Sequence, residues 1–281
     1  MTSTAAHPST AGADRVLAPL GARAVAIVAH ERHGAYHVLR CADPLGPRPQ
    51  AGQFYMLATV RRWGGGASQR PFLPRAFSVL RAPAHTDELH FMLDDVGPGT
   101  ERLGELAPGD ELSILGPLGI GFGAPRDGRL PLLVGGGVGI APLAIWQDQL
   151  GGAPALLGFR DAEHARGAAL LAGGEIATDD GSAGHHGLVT ELLASRLRAE
   201  AHVEVYGCGP PAMLEAVRAQ CAATGTPAQL ALESGMACGY GACFGCVVPT
   251  TDGYLRLCVD GPVLDAARLE SALNPTHPAP H

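Results

Sequence analysis

The sequence predicts an α+β multi-domain protein that combines an antiparallel β-barrel, an α/β domain with a parallel sheet and a small C-terminal lobe. Three observations predict this fold class. Short β-rich runs bounded by Gly, Pro or Asp fill residues 16–127, strand and helix patterns alternate over 128–229, and cysteines and glycines crowd 230–265. A chain of 281 residues is long enough for one to two domains of ordinary size, so the third unit must be small.

The barrel is predicted from its strand spacing. The stretch AVAIVAHERHGAYHVLRCA contains two β-rich runs around a turn at His33-Gly34, and QFYMLATV, RAFSVLRAP, ELHFMLDDV and DELSILGPL follow. Strands at this spacing, without long helical patterns between them, are typical of an antiparallel barrel. The one helical pattern here is TERLGEL, with Thr100 as its predicted N-cap.

The α/β domain is predicted from buried strands that alternate with helices. RLPLLVGGG is a continuous apolar strand, GIAPLAIWQDQL is a helix, APALLGFR and VEVYGCGP are further strands, and PAMLEAVRAQC is another helix. Such alternation predicts a parallel sheet. The segment 230–265 is too short to build a core of its own, so something other than packing must hold it.

Composition and charge exclude several functions. The net charge is −7 and no basic run is present, which argues against binding to nucleic acid or to an anionic membrane. No apolar stretch approaches the roughly 18 residues that a membrane span needs. The N-terminus lacks a secretory signal, so a cytoplasmic location is expected. Residues 1–15 and 266–281 are rich in Ala, Pro, Ser, Thr and His and are predicted to be disordered.

The cysteine spacing is the most specific pattern. Seven cysteines in a chain with no export signal argue against a disulfide framework. Four of them follow the pattern Cys238-x4-Cys243-x2-Cys246-x11-Cys258, which is the plant-type [2Fe–2S] spacing. Two irons need two thiolates each, so a loop must wrap the cluster while one ligand arrives from a separate element. Structural zinc and unliganded buried cysteines remain alternatives, although zinc ribbons favour two C-x2-C pairs.

A glycine-rich turn opens the α/β domain. In PLLVGGGVGIAPL the glycines Gly135, Gly136, Gly137 and Gly139 lie between a strand and a helix, as in dinucleotide-binding turns. The pattern is G-x-G-x-x-P, with Pro142 in the first helical turn. A tight strand-to-helix turn without a ligand is the alternative.

Two shorter motifs lie in the barrel. In RPFLPRAFS, Arg75 is suited to grip a diphosphate, and Ser78 lies three residues further along. In VGPGTERL, Gly97, Gly99 and Thr100 form a candidate phosphate cradle before a short helix. A surface arginine and ordinary turn glycines are the alternatives.

Taken together, these motifs resemble a known family. RAFS, GPGT, GPLGIGF, VGGGVGIAPL, YGCGP, MACGYGACFGC and CVDGPV occur in the order seen in ferredoxin–NADP reductase-like flavoproteins. The C-terminal part resembles the electron-transfer subunits of class 1B, NAD-dependent dihydroorotate dehydrogenases. The resemblance covers about 16–265 and implies an FAD-binding barrel at 16–127, an NAD-binding domain at 128–229 and a [2Fe–2S] lobe at 230–265.

The resemblance also implies site residues, and it assigns none of them to acid–base catalysis. It places Arg75, Ala76, Phe77, Ser78, Met92, Leu93, Asp94, Gly99 and Thr100 at FAD, Gly135, Gly136, Gly137, Gly139, Cys208, Gly209 and Pro210 at NAD, and Cys238, Cys243, Cys246 and Cys258 at the cluster. Asp94 departs from the family, where an arginine is common, and is expected to point away from the diphosphate. Asp179 or Asp180 could contact the NAD adenosine, which would favour NAD over NADP.

The implied function is electron transfer. Electrons would pass from an FMN-containing dihydroorotate dehydrogenase subunit through [2Fe–2S] and FAD to NAD⁺ in pyrimidine biosynthesis, with two copies of each subunit in a heterotetramer. Alone, the chain would act as an NADH diaphorase. Two alternatives stay open: a reductase subunit of the sulfide dehydrogenase, sulfhydrogenase or sulfite reductase type, and a zinc-stabilised binding module without a redox role. The Gly-rich loop at Trp63 is a candidate partner contact or a loop anchor.

Overall fold

The computed structural model describes residues 21–61, 63–64, 72–200 and 202–273. The predicted tail at 1–15, the last part of the predicted tail at 274–281, and most of the Gly-rich loop after Trp63 lie outside the described residues. No helix in the described ranges is long and apolar enough to cross a membrane.

The first domain is a closed antiparallel barrel, as the sequence predicts. Its strands are β1 Arg23–His33, β2 Tyr36–Ala42, β3 Phe54–Thr59, β4 Arg75–Arg81, β5 Glu88–Leu93 and β6 Glu111–Leu118. They close in the order β1-β2-β5-β4-β3-β6. Every side chain of β3 is buried, because the strand packs against the barrel core on one face and against the rest of the protein on the other.

The barrel carries one helix, α1, at Pro98–Gly104. It starts three residues earlier than predicted, because Pro98 takes the first helical position and Gly97 becomes the N-cap. Thr100 is therefore not the N-cap. Its hydroxyl instead accepts a hydrogen bond from the backbone N–H of Gly97 over 3.0 Å, which closes the turn from inside the helix.

The second domain contains a seven-stranded sheet with helices between the strands. The elements are β7 Leu130–Gly136, α2 Ala141–Leu150, β8 Ala155–Phe159, α3 Ala162–Ala165, β9 Gly174–Thr178, β10 His185–His186, α4 Val189–Ala199, β11 Val203–Cys208, α5 Pro211–Thr224 and β12 Ala228–Ala231, with β15 Val263–Asp265 at the edge. The order is β10-β9-β8-β7-β11-β12-β15. All neighbours are parallel except β15, which runs antiparallel to β12.

The cysteine-rich lobe is an insertion between two neighbouring strands of this sheet. It holds the hairpin β13 Val247–Thr250 and β14 Gly253–Arg256, followed by the short helix α6 Leu257–Asp260. The chain then returns to the sheet, where Val263 pairs with Ala231. Both ends of the lobe are thus anchored in the sheet of the α/β domain. This anchoring holds in place a segment that is too short to build a core of its own.

Residues 266–273 are packed, although composition predicts disorder for them. Leu269 and Ala272 are buried. Glu215 on α5 accepts hydrogen bonds from the Ala272 backbone N–H over 2.6 Å and from the Ser271 hydroxyl over 3.0 Å. The prediction of disorder was wrong for residues 266–273, because it was inferred from the abundance of polar and small residues. Two buried apolar side chains and the Glu215 carboxylate hold this segment against the domain.

Candidate cofactor sites

The first site is a cavity of about 520 Å³ between the barrel and the start of the cysteine-rich segment. The residues expected at FAD line it together, with the exception of Leu93: Arg75, Ala76, Phe77, Ser78, Met92, Asp94, Gly99 and Thr100. Leu93 is fully buried in the barrel core. Neighbouring strand residues point to opposite faces, so Met92 and Leu93 do not share one environment.

Arg75 is positioned by a glycine. A Cβ at Gly99 would come within 2.9 Å of the Arg75 Nε, so the glycine leaves room for the arginine to lie across the start of α1. The arginine also donates to the Leu73 carbonyl over 2.7 Å. The Thr100 hydroxyl accepts from the backbone N–H of Val96 over 2.9 Å, which fixes the preceding turn. A guanidinium held above a fixed turn suits the diphosphate of a dinucleotide.

Sequence reasoning missed the wall of this cavity that comes from residues 232–236. Glu233 and Ser234 line the cavity although they follow β12, far along the chain from Arg75. The Ser234 Oγ is buried and has no hydrogen-bond partner among the described residues. The Glu233 side chain is exposed, and desolvation raises the pKa of its carboxyl. A buried hydroxyl such as that of Ser234 is normally satisfied, so it fits a site that holds a polar ligand.

The second site is a cavity of about 410 Å³ at the ends of the parallel strands. Such a position, outside the carboxyl ends of the strands, is where open α/β sheets bind ligands. Its lining consists of Tyr36, Asp94, Gly136, Gly137, Gly158, Phe159, Arg160, His164, Asp179, Leu188, Val189, Thr190, Pro210, Ala212, Met213 and Ala216. Asp179 therefore faces the cavity, whereas Asp180 accepts from the backbone N–H of Ser182 over 2.9 Å.

Only some of the residues expected at NAD line this cavity. Gly136, Gly137 and Pro210 do, and Gly135, Gly139, Cys208 and Gly209 are not among the described lining residues. A Cβ at Gly139 would come within 2.6 Å of the Cys208 carbonyl, so this glycine lets the turn approach the end of β11. Gly137 has a φ of 54°, which favours glycine.

Cys208 lies behind the cavity rather than in it. Its side chain is buried at the end of β11, and desolvation, together with the charge of Glu233, raises the pKa of its thiol. The group is therefore a neutral thiol at neutral pH. Its role at NAD stays a prediction.

Asp94 lines both cavities and lies between them. Its Oδ2 is 3.5 Å from an Arg160 nitrogen and 3.8 Å from the His164 Nε2. The Arg160 guanidinium explains how an acid is accommodated at this position.

The four cysteines form two pairs. Cys238 interacts with the Cys243 thiol, and Cys258 interacts with the Cys246 thiol. Burial opposes ionisation of Cys238, but the backbone N–H groups around it, led by that of Cys243, outweigh burial and lower its pKa to about 6. Burial first, and the Cys246 sulfur second, raise the pKa of Cys258 to about 12.

Two pairs of thiols suit a cluster of two irons. Tetrahedral zinc needs four ligands around one point, whereas a two-iron cluster takes two thiolates on each iron. The thiol arrangement therefore fits a [2Fe–2S] cluster.

The loop that carries these cysteines packs directly on the barrel. Gly239 and Gly241 have φ values of 79° and 88°. A Cβ at Gly239 would lie 2.6 Å from the Met56 Cγ of β3. The cysteine-rich loop, the first cavity and the second cavity are thus adjacent in that order.

The barrel, the parallel sheet and the two cavities at their junction define a flavin reductase-like class of protein. A solved structure of an NADH-dependent reduced ferredoxin–NADP oxidoreductase, described for flavin-based electron bifurcation, aligns with a TM-score of 0.75, 23% identity and coverage of 88% of this chain and 90% of that one. A ferredoxin NADP⁺ reductase from Neisseria gonorrhoeae with bound FAD and NADP aligns with a TM-score of 0.59 and 20% identity, over 73% of this chain and 92% of that one.

Sequence comparison gives the particular family. The model of the iron–sulfur cluster binding domain of dihydroorotate dehydrogenase B matches residues 233–270. The electron transfer subunit of dihydroorotate dehydrogenase B (NAD(+)) from Clostridium perfringens is 33% identical over 234 residues, which cover 78% of this chain and 87% of the relative. The subunit from Geobacillus thermodenitrificans is 39% identical over 212 residues, which cover 71% of this chain and 80% of the relative. The chain belongs to the family of dihydroorotate dehydrogenase B electron transfer subunits.

Proposed function

We propose that this chain passes electrons from an FMN-containing dihydroorotate dehydrogenase catalytic subunit through [2Fe–2S] and FAD to NAD⁺, as an NAD-dependent oxidoreductase of pyrimidine biosynthesis. One observation carries the proposal: residues 232–236 line the first cavity and run directly into Cys238. A cluster on the four cysteines and a flavin in the first cavity would therefore share one short segment as a common wall.

The first cavity is the proposed FAD site, in the barrel domain at 16–127. Arg75 neutralises the diphosphate, and Ala76, Phe77, Ser78 and Met92 line the rest of the cavity with the backbone of β4 and β5. When bound, FAD supplies the coupling between one-electron and two-electron transfers. The protein contributes position and electrostatics, and none of its residues is proposed to exchange a proton with substrate.

The second cavity is the proposed NAD site, in the domain at 128–229. Gly136 and Gly137 give the dinucleotide room at the turn after β7, and Pro210 borders it. Asp179, at the end of β9, supplies an acid for a ribose hydroxyl, which would repel the 2′-phosphate of NADP. NAD is therefore the proposed nucleotide.

The lobe at 230–265 is the proposed cluster site, with Cys238, Cys243, Cys246 and Cys258 as ligands. Backbone N–H groups point at two of these sulfurs: Gly245 N lies 3.4 Å from the Cys243 Sγ, and Cys258 N lies 3.5 Å from the Cys246 Sγ. Such donors stabilise thiolates and tune the potential of a bound cluster.

The test is reconstitution with the partner. The chain is co-expressed with an FMN-containing dihydroorotate dehydrogenase subunit, the complex is purified, and NADH formation is followed after addition of dihydroorotate and NAD⁺. We expect a complex with two copies of each subunit, flavin and [2Fe–2S] absorption bands, and NADH formation that needs both subunits. A colourless chain with stoichiometric zinc, or a coloured chain that neither binds the partner nor supports this reaction, would overturn the proposal.

A further inference from the structure

One charged side chain of the second cavity has no role in the function proposed above. Arg160, which directly follows β8, is the one Arg or Lys among the described residues that line this cavity, and the acids Asp94 and Asp179 line it as well. A nicotinamide dinucleotide brings a diphosphate with two negative charges. The cavity therefore offers a single permanent cation against two carboxylates and the incoming anion.

Arg160 is held in place by a neighbouring histidine. The His164 Nδ1 lies 2.7 Å from the Asp161 Oδ1 and donates to that carboxylate, so in the neutral ring Nε2 is the acceptor. The Arg160 Nε donates to His164 Nε2 over 2.9 Å. His164 is itself fixed by two contacts. Its backbone N–H donates to the Asp161 Oδ1 over 2.9 Å. Its ring packs edge-on against the Tyr36 ring, with the ring centroids 5.4 Å apart.

The guanidinium also contacts the barrel. An Arg160 nitrogen lies 3.5 Å from the Asp94 Oδ2, and Asp94 follows β5, so this ion pair crosses from one domain to the other. The Arg160 side chain is 60% exposed, and a solvated pair at this distance contributes little free energy. A phosphate group binds a guanidinium more strongly, because two parallel N–H···O contacts match its geometry.

We propose that Arg160 binds the diphosphate of the dinucleotide and that Asp94 is the counter-ion which this diphosphate displaces. The inference rests on the proposed NAD site and names the groups that set its affinity. Arg160 then attracts the anion, while the Asp94 carboxylate competes with the phosphates for the guanidinium. Asp94 thus lowers the affinity for the dinucleotide and speeds its release.

The test measures binding of ADP-ribose to the FAD-loaded full chain by titration calorimetry. ADP-ribose carries the diphosphate but no nicotinamide, so it binds without redox chemistry. Arg160→Gln should weaken ADP-ribose binding about tenfold or more, since a charge-assisted contact to phosphate is lost. Asp94→Asn should tighten it severalfold. The double variant should bind as weakly as Arg160→Gln alone, because Asp94 acts through the arginine.

The matched control is Arg166→Gln. Arg166 is a similar exposed arginine, paired with Glu163 over 3.4 Å, and it is not among the described residues of the cavity wall. Its replacement should leave ADP-ribose binding unchanged. FAD content and melting temperature show whether each variant is folded. If Arg160→Gln does not fold, Asp94→Asn provides the test.

The outcomes separate this inference from the proposed function. If Arg160→Gln binds ADP-ribose as tightly as the unmodified chain, or Asp94→Asn binds it no more tightly, the inference is overturned while the NAD site stands. If the unmodified FAD-loaded chain does not bind ADP-ribose at all, the NAD assignment of the second cavity fails, and this inference with it.

Discussion

The backbone N–H of Cys258 points at the Sγ of Cys246 across 3.5 Å, although the two residues are twelve positions apart. The β13–β14 hairpin brings them together, because Val247 pairs with Arg256 and the Leu257 N–H donates to the Cys246 carbonyl over 3.0 Å. The second thiol pair is therefore built by strand register and not by a flexible loop.

Replacement of a ligand should remove the cluster and spare the flavin. In Cys243→Ser the hydroxyl is a poorer iron ligand than a thiolate, so we expect cluster iron to fall to a small fraction while FAD content persists, since FAD is proposed to bind in the barrel. Iron analysis and the visible spectrum measure this. Cys221→Ala, at a buried cysteine of α5, is the control and should keep its iron. A full cluster in Cys243→Ser would contradict the ligand assignment.

The contact of the cysteine-rich loop with the barrel should be sensitive to a single methyl group. Gly239→Ala places a Cβ 2.6 Å from the Met56 Cγ at a φ of 79°, so the loop must shift. Gly128→Ala, at a φ of 74° with open space around it, carries the backbone strain of about 1 kcal/mol without the clash. We expect Gly239→Ala to lose more cluster and more thermal stability than Gly128→Ala. Equal losses would show that only backbone strain matters.

Arg75 should control FAD affinity. Arg75→Gln removes the cation that lies across Gly99, so FAD binding should weaken about tenfold or more, as expected for loss of a charge-assisted contact to phosphate. Fluorescence titration of the FAD-free chain measures it. Arg48→Gln is the control, because Arg48 donates to the Pro83 carbonyl over 3.0 Å and is not among the described residues of the first cavity. Equal affinity in the two variants would argue against Arg75 at the diphosphate.

Glu215 should make the C-terminal segment sensitive to acid. Its hydrogen bond with Arg218, opposed by burial and supported by the Ala272 N–H, lowers the pKa of Glu215 from 4.5 to about 2. A carboxyl with a lowered folded-state pKa stabilises the protein above its ordinary pKa, and the stabilisation is lost as the pH falls from there towards 2. Because Glu215 is partly exposed, we expect about 1 kcal/mol.

Urea unfolding of Glu215→Gln and the unmodified chain at several pH values tests this expectation. The variant should be less stable at neutral pH, and the difference should shrink below about pH 4. Glu163→Gln, which removes an exposed ion pair with Arg166, is the control and should show little change at any pH. A stability difference for Glu215→Gln that does not depend on pH would contradict the pKa argument.

Local patterns determined most of the fold. The barrel strands and the strand-to-helix alternation were predicted, and the four cysteines proposed as cluster ligands were recognised from their spacing, because each pattern is defined by residues that lie close together along the chain. The spacing of Cys238, Cys243 and Cys246 sets three positions within one loop. The glycines among them show by themselves that the backbone must turn tightly there.

Only the tertiary structure decided which distant residues share a site. Ser234 faces the cavity that Arg75 borders, and Asp94 meets Arg160, although more than sixty residues separate the members of each pair. The sequence likewise did not distinguish Gly137, which lines the second cavity, from Gly139, which only permits packing against Cys208. Such contacts depend on how domains and strands pack against each other, and periodicity along the chain carries no information about that packing.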